Sequence, residues 1–151
     1  MTVLEPEVVK AVPTPVPPAF LRKVLRRAAA LPEIAARLPE GRATVAVRIT
    51  GDDELRELNR TFAADDHATD VLSFAGTAEH LGDIAISWPA VGRQAAQFGH
   101  DERTELALLA VHGLLHLLGW DHSTASERKE MTRLTVAALE ASGIKPGRRR
   151  L

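Results

Sequence analysis

The chain predicts a single mixed α/β domain of the α+β kind, with one sheet of three strands or more covered by about five helices. Short runs that alternate apolar and polar residues, such as ATVAVRIT at 43–50, read as strands. Longer runs repeat apolar residues every three or four positions and read as helices. Gly and Pro fall between these runs as punctuation. The 151 residues suffice for one packed core, and no internal repeat divides them.

Taken in order, the first eighteen residues hold five prolines, and 1–17 read as a Pro-rich flexible arm outside the domain. The domain proper is expected over 18–142, with 143–151 a loose basic tail. In PAFLRKVLRRAAALP, the residues Phe20, Leu21, Val24, Leu25, Ala28 and Leu31 share one helical face, and Pro32 stops the run. The other face carries Arg22, Lys23, Arg26 and Arg27. A short helical turn follows to Leu38, then the strand at 43–50. Asp52 or Asp53 can cap a helix that places Leu55, Leu58 and Phe62 on one side. TDVLSFAG (69–76) and GDIAISW (82–88) read as strands, and the short bridge between them makes them antiparallel neighbours. Pro89 starts a helix that Gly99 ends. The next helix runs from about Asp101 to Leu118 and is closed by Gly119. A last amphipathic helix spans about 123–141.

Composition narrows the function classes. There is no Cys, which excludes disulfides and thiolate metal sites and leaves the six histidines as the leading transition-metal ligands. A net charge of −1 gives no sign of a globally basic nucleic-acid binder and leaves room only for a local basic patch; no DNA partner is expected. The N-terminus lacks the basic and apolar regions of a signal peptide, and the apolar run at 106–118 is too short to span a bilayer. A soluble, cytoplasmic protein without membrane association is expected.

The chemistry concentrates in HGLLHLLGWDH, residues 112–122. His112 and His116 stand at i and i+4 of a helix, on one stripe and one turn apart. Gly119 lets the chain leave the helix sharply, so that His122 can fold back as a third nitrogen donor. Three imidazoles leave a position open for water, the pattern of a catalytic metal site. The spacing equals the metzincin peptidase pattern H-E-x-x-H-x-x-G-x-x-H, but Gly113 stands where those enzymes carry their general base. Asp121, between the turn glycine and the third histidine, can orient a histidine or the bound water, or else cap the last helix. Thr69, Asp70 and Ser73 are candidates to line the cleft, or a turn before their strand. Arg22, Lys23, Arg26 and Arg27 form a ridge that can hold phosphates or be a solvated helix face.

HGLLHLLGWDH resembles the H-G-x-L-H-L-x-G-[YW]-D-H signature of the YbeY family, bacterial zinc-dependent endoribonucleases and rRNA maturation factors. LNRTFAADDHATDVLSFA and LGDIAIS resemble two further blocks of that family, in the same order and spacing. The resemblance implies a mixed, mostly four-stranded sheet and one zinc per chain on His112, His116 and His122. It also implies single-strand-specific RNA cleavage at the 3′ end of small-subunit rRNA and a role in ribosome quality control. Ribosomal RNA and the small ribosomal subunit would be the partners. One departure concerns the position after Phe62: the family's usual Arg is Ala63 here, with Ala68 in place of a common Pro and Arg60 a possible substitute for the arginine. Two other readings use the same histidines, a non-catalytic assembly factor pinned by zinc and a metzincin-like metallopeptidase. Imidazoles also accept nickel, cobalt or copper, so the ion is not dictated by the ligand set.

Overall fold

The structure is a computed structural model that describes residues 2–62, 69–147 and 149–151. Four strands and six helices are present among them: β1 (Thr2–Lys10), α1 (Pro18–Ala29), α2 (Pro32–Ala35), β2 (Gly41–Thr50), α3 (Asp52–Phe62), β3 (Val71–Ala75), β4 (His80–Ser87), α4 (Trp88–Phe98), α5 (Glu102–Leu117) and α6 (Ala125–Glu140). The sheet order is β1-β2-β4-β3. β1 and β4 both run parallel to β2, and β3 runs antiparallel to β4, as the short bridge predicts.

β1 corrects the expectation of a flexible arm over 1–17. Leu4 and Pro6 are buried while Val3, Glu7 and Val9 are exposed, the alternation of a half-buried strand. Pro6 is tolerated because β1 lies at the sheet edge, where one strand face has no ladder to serve. The remaining prolines fall beyond Lys10, in the connection to α1. The tail is not loose either. The Gly147 N–H donates to His100 Nδ1 at 2.9 Å, and Arg150 pairs with Glu105 from 3.1 Å.

α5 is the central element. Residues 105–111 and 113–115 are all buried, so it is apolar around its whole circumference. It packs on β3 and β4 and touches α1, α4 and α6. Its start is set by Asp101, which accepts the Thr104 N–H at 2.8 Å. Gly113 stands where α5 crosses β4: a Cβ there would lie 2.8 Å from Cγ2 of Ile84. The glycine therefore admits the helix to the sheet, and that approach offsets its cost in helix propensity.

Candidate metal centre

At the other end of α5, Leu118 leaves the helix and Gly119 adopts φ 98°, a left-handed conformation that favours glycine. The turn is closed by N–H donation from Gly119 to the His116 carbonyl and from Trp120 to the Leu115 carbonyl, both at 3.0 Å. Trp120 is buried, with the Arg37 guanidinium 3.7 Å above its ring, and Arg37 also donates to the Leu118 carbonyl. Sequence reading missed Arg37, because its partner lies far along the chain.

That turn returns His122 to the helix. The ring centroids of His112, His116 and His122 are 4.8, 4.9 and 5.6 Å apart, and one ligand nitrogen from each lies within 4.8 Å of the others. Burial pushes the His112 imidazole down to about 4, helped by the neighbouring His116 and His122. Burial likewise lowers His116. Both rings are thus neutral near pH 7, the form in which imidazole binds a metal ion. Among the described residues no side chain hydrogen-bonds to these three rings, whereas His80 and His100 each hold two partners. The donor set fits one divalent ion held by three nitrogens with an open side.

The rings face a cleft of about 450 Å³ whose far wall is β3 and the residues before it. Thr69, Asp70 and Ser73, singled out in the sequence, all line it. The Ser73 hydroxyl donates to the Gly113 carbonyl at 3.4 Å, and Gln94 Nε2 donates to Asp70 at 2.7 Å, which anchors this wall to α5 and α4. Asp121 does not cap α6: Thr124 does, in a reciprocal capping box with Glu127. The Asp121 carboxylate instead accepts from the His122 N–H and the Ser123 hydroxyl, each at 2.8 Å, and these donors hold it below the usual carboxylate range. It shapes the turn that presents the third histidine.

Other candidate residues stand apart from the cleft. Arg22, Lys23, Arg26 and Arg27 lie on the outer side of α1, which packs against β1, α5 and α6. Arg60, in the last turn of α3, pairs with Glu57. Ala63 and Ala68 fall outside the described residues. No helix among the described residues is long and apolar enough to cross a membrane.

A mixed α/β domain whose central helix ends in a three-histidine cluster beside an open cleft defines a protein with a candidate three-nitrogen metal site. Residues 14–143 match the family model described as Endoribonuclease YbeY. The chain is 49% identical over 112 residues to the Endoribonuclease YbeY of Chloroflexus aurantiacus, covering 66% of this chain and 72% of the relative. It is 42% identical over 139 residues to that of Moorella thermoacetica, covering 83% and 86%. The solution structure of TM1509 from Thermotoga maritima superposes with a TM-score of 0.60 at 21% identity, covering 96% of this chain and all of that one, which supports the fold. The chain belongs to the YbeY endoribonuclease family.

Proposed function

We propose that this protein is a zinc-dependent endoribonuclease that hydrolyses single-stranded RNA, with His112, His116 and His122 as the metal ligands. Its substrate would be the 3′ region of small-subunit rRNA, its partner the small ribosomal subunit, and its place the cytoplasm. The observation that carries the reading is the convergence of three imidazoles on one open cleft in a chain of this family. A zinc ion held there would bring the pKa of its bound water to about 7 and draw charge from a phosphoryl oxygen.

The chain's own residues would do the rest. His112 and His116, kept neutral by burial, present lone pairs rather than protons. Asp121 steadies the backbone of His122, and Thr69, Asp70 and Ser73 form the wall along which RNA would lie. Arg60 and the Arg22, Lys23, Arg26 and Arg27 ridge are cations that a longer RNA would meet beyond the cleft. Proteolysis is disfavoured by Gly113, which occupies the peptidase base position and packs on Ile84.

The test is to incubate metal-loaded protein with RNA containing single-stranded segments, beside a His116→Ala variant matched for folding. Cleavage by the wild type and its loss in the variant are expected, along with one equivalent of zinc by emission spectrometry. Absence of cleavage by both proteins, with ribosome binding kept, would favour the assembly-factor reading instead.

A further inference from the structure

A second hollow, of about 260 Å³, lies against the first and shares Asp70, Val71, His112 and His122 with it. Its other side is formed by α5, α6 and the C-terminal tail. Leu108, Leu109 and Met131 give it apolar lining. Arg128 and Thr132 border it from α6, and Arg150 closes it from the tail. Arg150 is held rigidly, because Nε and Nη2 both donate to the carboxylate of Glu105, which is fully buried. Arg128 is different. Its guanidinium reaches the His122 carbonyl at 3.4 Å and forms no ion pair among the described residues, so an exposed positive charge stands beside the third histidine.

We propose that this hollow is a nucleotide subsite: one unpaired base adjoining the cleaved bond packs against Leu108, Leu109 and Met131, and Arg128 holds the neighbouring phosphate. The inference rests on the RNA-hydrolase reading and assigns the half of the cleft opposite β3. A largely apolar pocket with, among the described residues, one cation at its rim that has no ion pair suits one flat base with one phosphate. It also supplies a physical basis for selecting single strands, because a base held in a duplex must first give up its stacking and pairing to enter.

The test measures binding, not turnover. Metal-free protein is titrated into a short labelled single-stranded RNA, with fluorescence anisotropy read over a range of salt. Arg128→Gln is expected to weaken binding about tenfold and to lower the slope of log affinity against log salt by about one, the signature of one lost phosphate contact. Thr132→Trp, which fills the hollow and removes no charge, is expected to weaken binding with the slope unchanged. Unchanged affinity in both variants overturns the subsite, and so does a wild type that binds RNA duplex as well as single strand. If zinc-loaded wild type leaves the same RNA uncleaved while both metal-free variants bind it more weakly than metal-free wild type, the subsite stands and the nuclease reading falls. If zinc-loaded wild type cleaves the RNA and both metal-free variants bind it as metal-free wild type does, the subsite alone falls.

Discussion

The two ends of α5 hold polar clusters, one buried and one open to a cleft, and they are solved in opposite ways. At the first turn, Glu105 is completely buried, yet its oxygens are taken by His100 at 2.7 Å and by Arg150. His100 in turn accepts the Gly147 N–H on its other nitrogen, which makes it the Nε2–H tautomer donating to Glu105. Every member has a protein partner, and the cluster's effect is to pin the tail to the body. At the last turn, three imidazoles converge with no side-chain partner among the described residues and open onto a cleft. A buried polar group must be satisfied by something. The partnered cluster holds the tail to the body, whereas the histidine cluster, without side-chain partners among the described residues, faces the cleft as a set of metal donors.

Substitutions can break or sharpen this contrast. The largest expected effect is at the closed end. Glu105→Ala leaves Arg150 without its counter-charge and His100 without its acceptor, and is expected to cost about 3–5 kcal/mol in denaturant unfolding. Metal binding at the far end should survive in the folded fraction. A cost near zero would mean that the tail is not held by this pair.

The open end should show itself through pH in the metal-free protein. Above pH 6.5 the His112 imidazole is neutral both folded and unfolded. Below it, only the unfolded chain takes the proton, until the folded form follows at about 4. Stability should therefore fall between those limits, by on the order of 2–3 kcal/mol. Replacing His112 with Leu should flatten that part of the curve, and an unchanged curve would assign the loss to other groups.

Gly113→Ala probes the packing that carries both histidines of the helix. Overpacking against Ile84 costs about 1–3 kcal/mol, and the better helix former returns about 1. A net loss of about 1 kcal/mol is expected, with positive coupling to Ile84→Val in a double-mutant cycle. No coupling would show that the strain is relieved elsewhere.

The smallest effect belongs to the helix start. Asp101→Ala should cost about 1 kcal/mol at pH 7. Thr104 holds the Asp101 carboxyl below its usual range. The contribution is therefore complete above pH 3.8 and fades as pH falls through the lower folded-state value, so wild type and variant should converge in strong acid.

Much of this was legible before the structure. The helices from Pro18, Pro89 and Asp101, and the antiparallel pair β3 and β4, follow from periodicity and from the placement of Pro and Gly. The histidine spacing pointed to one metal site, and the three rings converge. β1 was misread because prolines clustered after Lys10 masked the alternation of Leu4, Pro6 and Val8, a pattern that was present. Glu105 gave no signal, since a carboxylate at the start of a helix reads as ordinary dipole compensation. Arg37 and Arg128 were hidden for a related reason: surface arginines are common, and only their neighbours distinguish them.

The sequence by itself determined what depends on neighbours along the chain: which segments are helix or strand, the stripe shared by His112 and His116, and the left-handed turn that Gly119 allows. Tertiary structure decided what depends on closing long loops. It set β1 beside β2, brought Arg37 over Trp120, joined Arg150 to Glu105, and laid β3 across from the histidines. Local patterns are written in contiguous residues because a helix or strand forms from its own backbone hydrogen bonds. Contacts between distant segments are specified only by how the whole core packs, so the open cleft beside the histidines exists only in the folded chain.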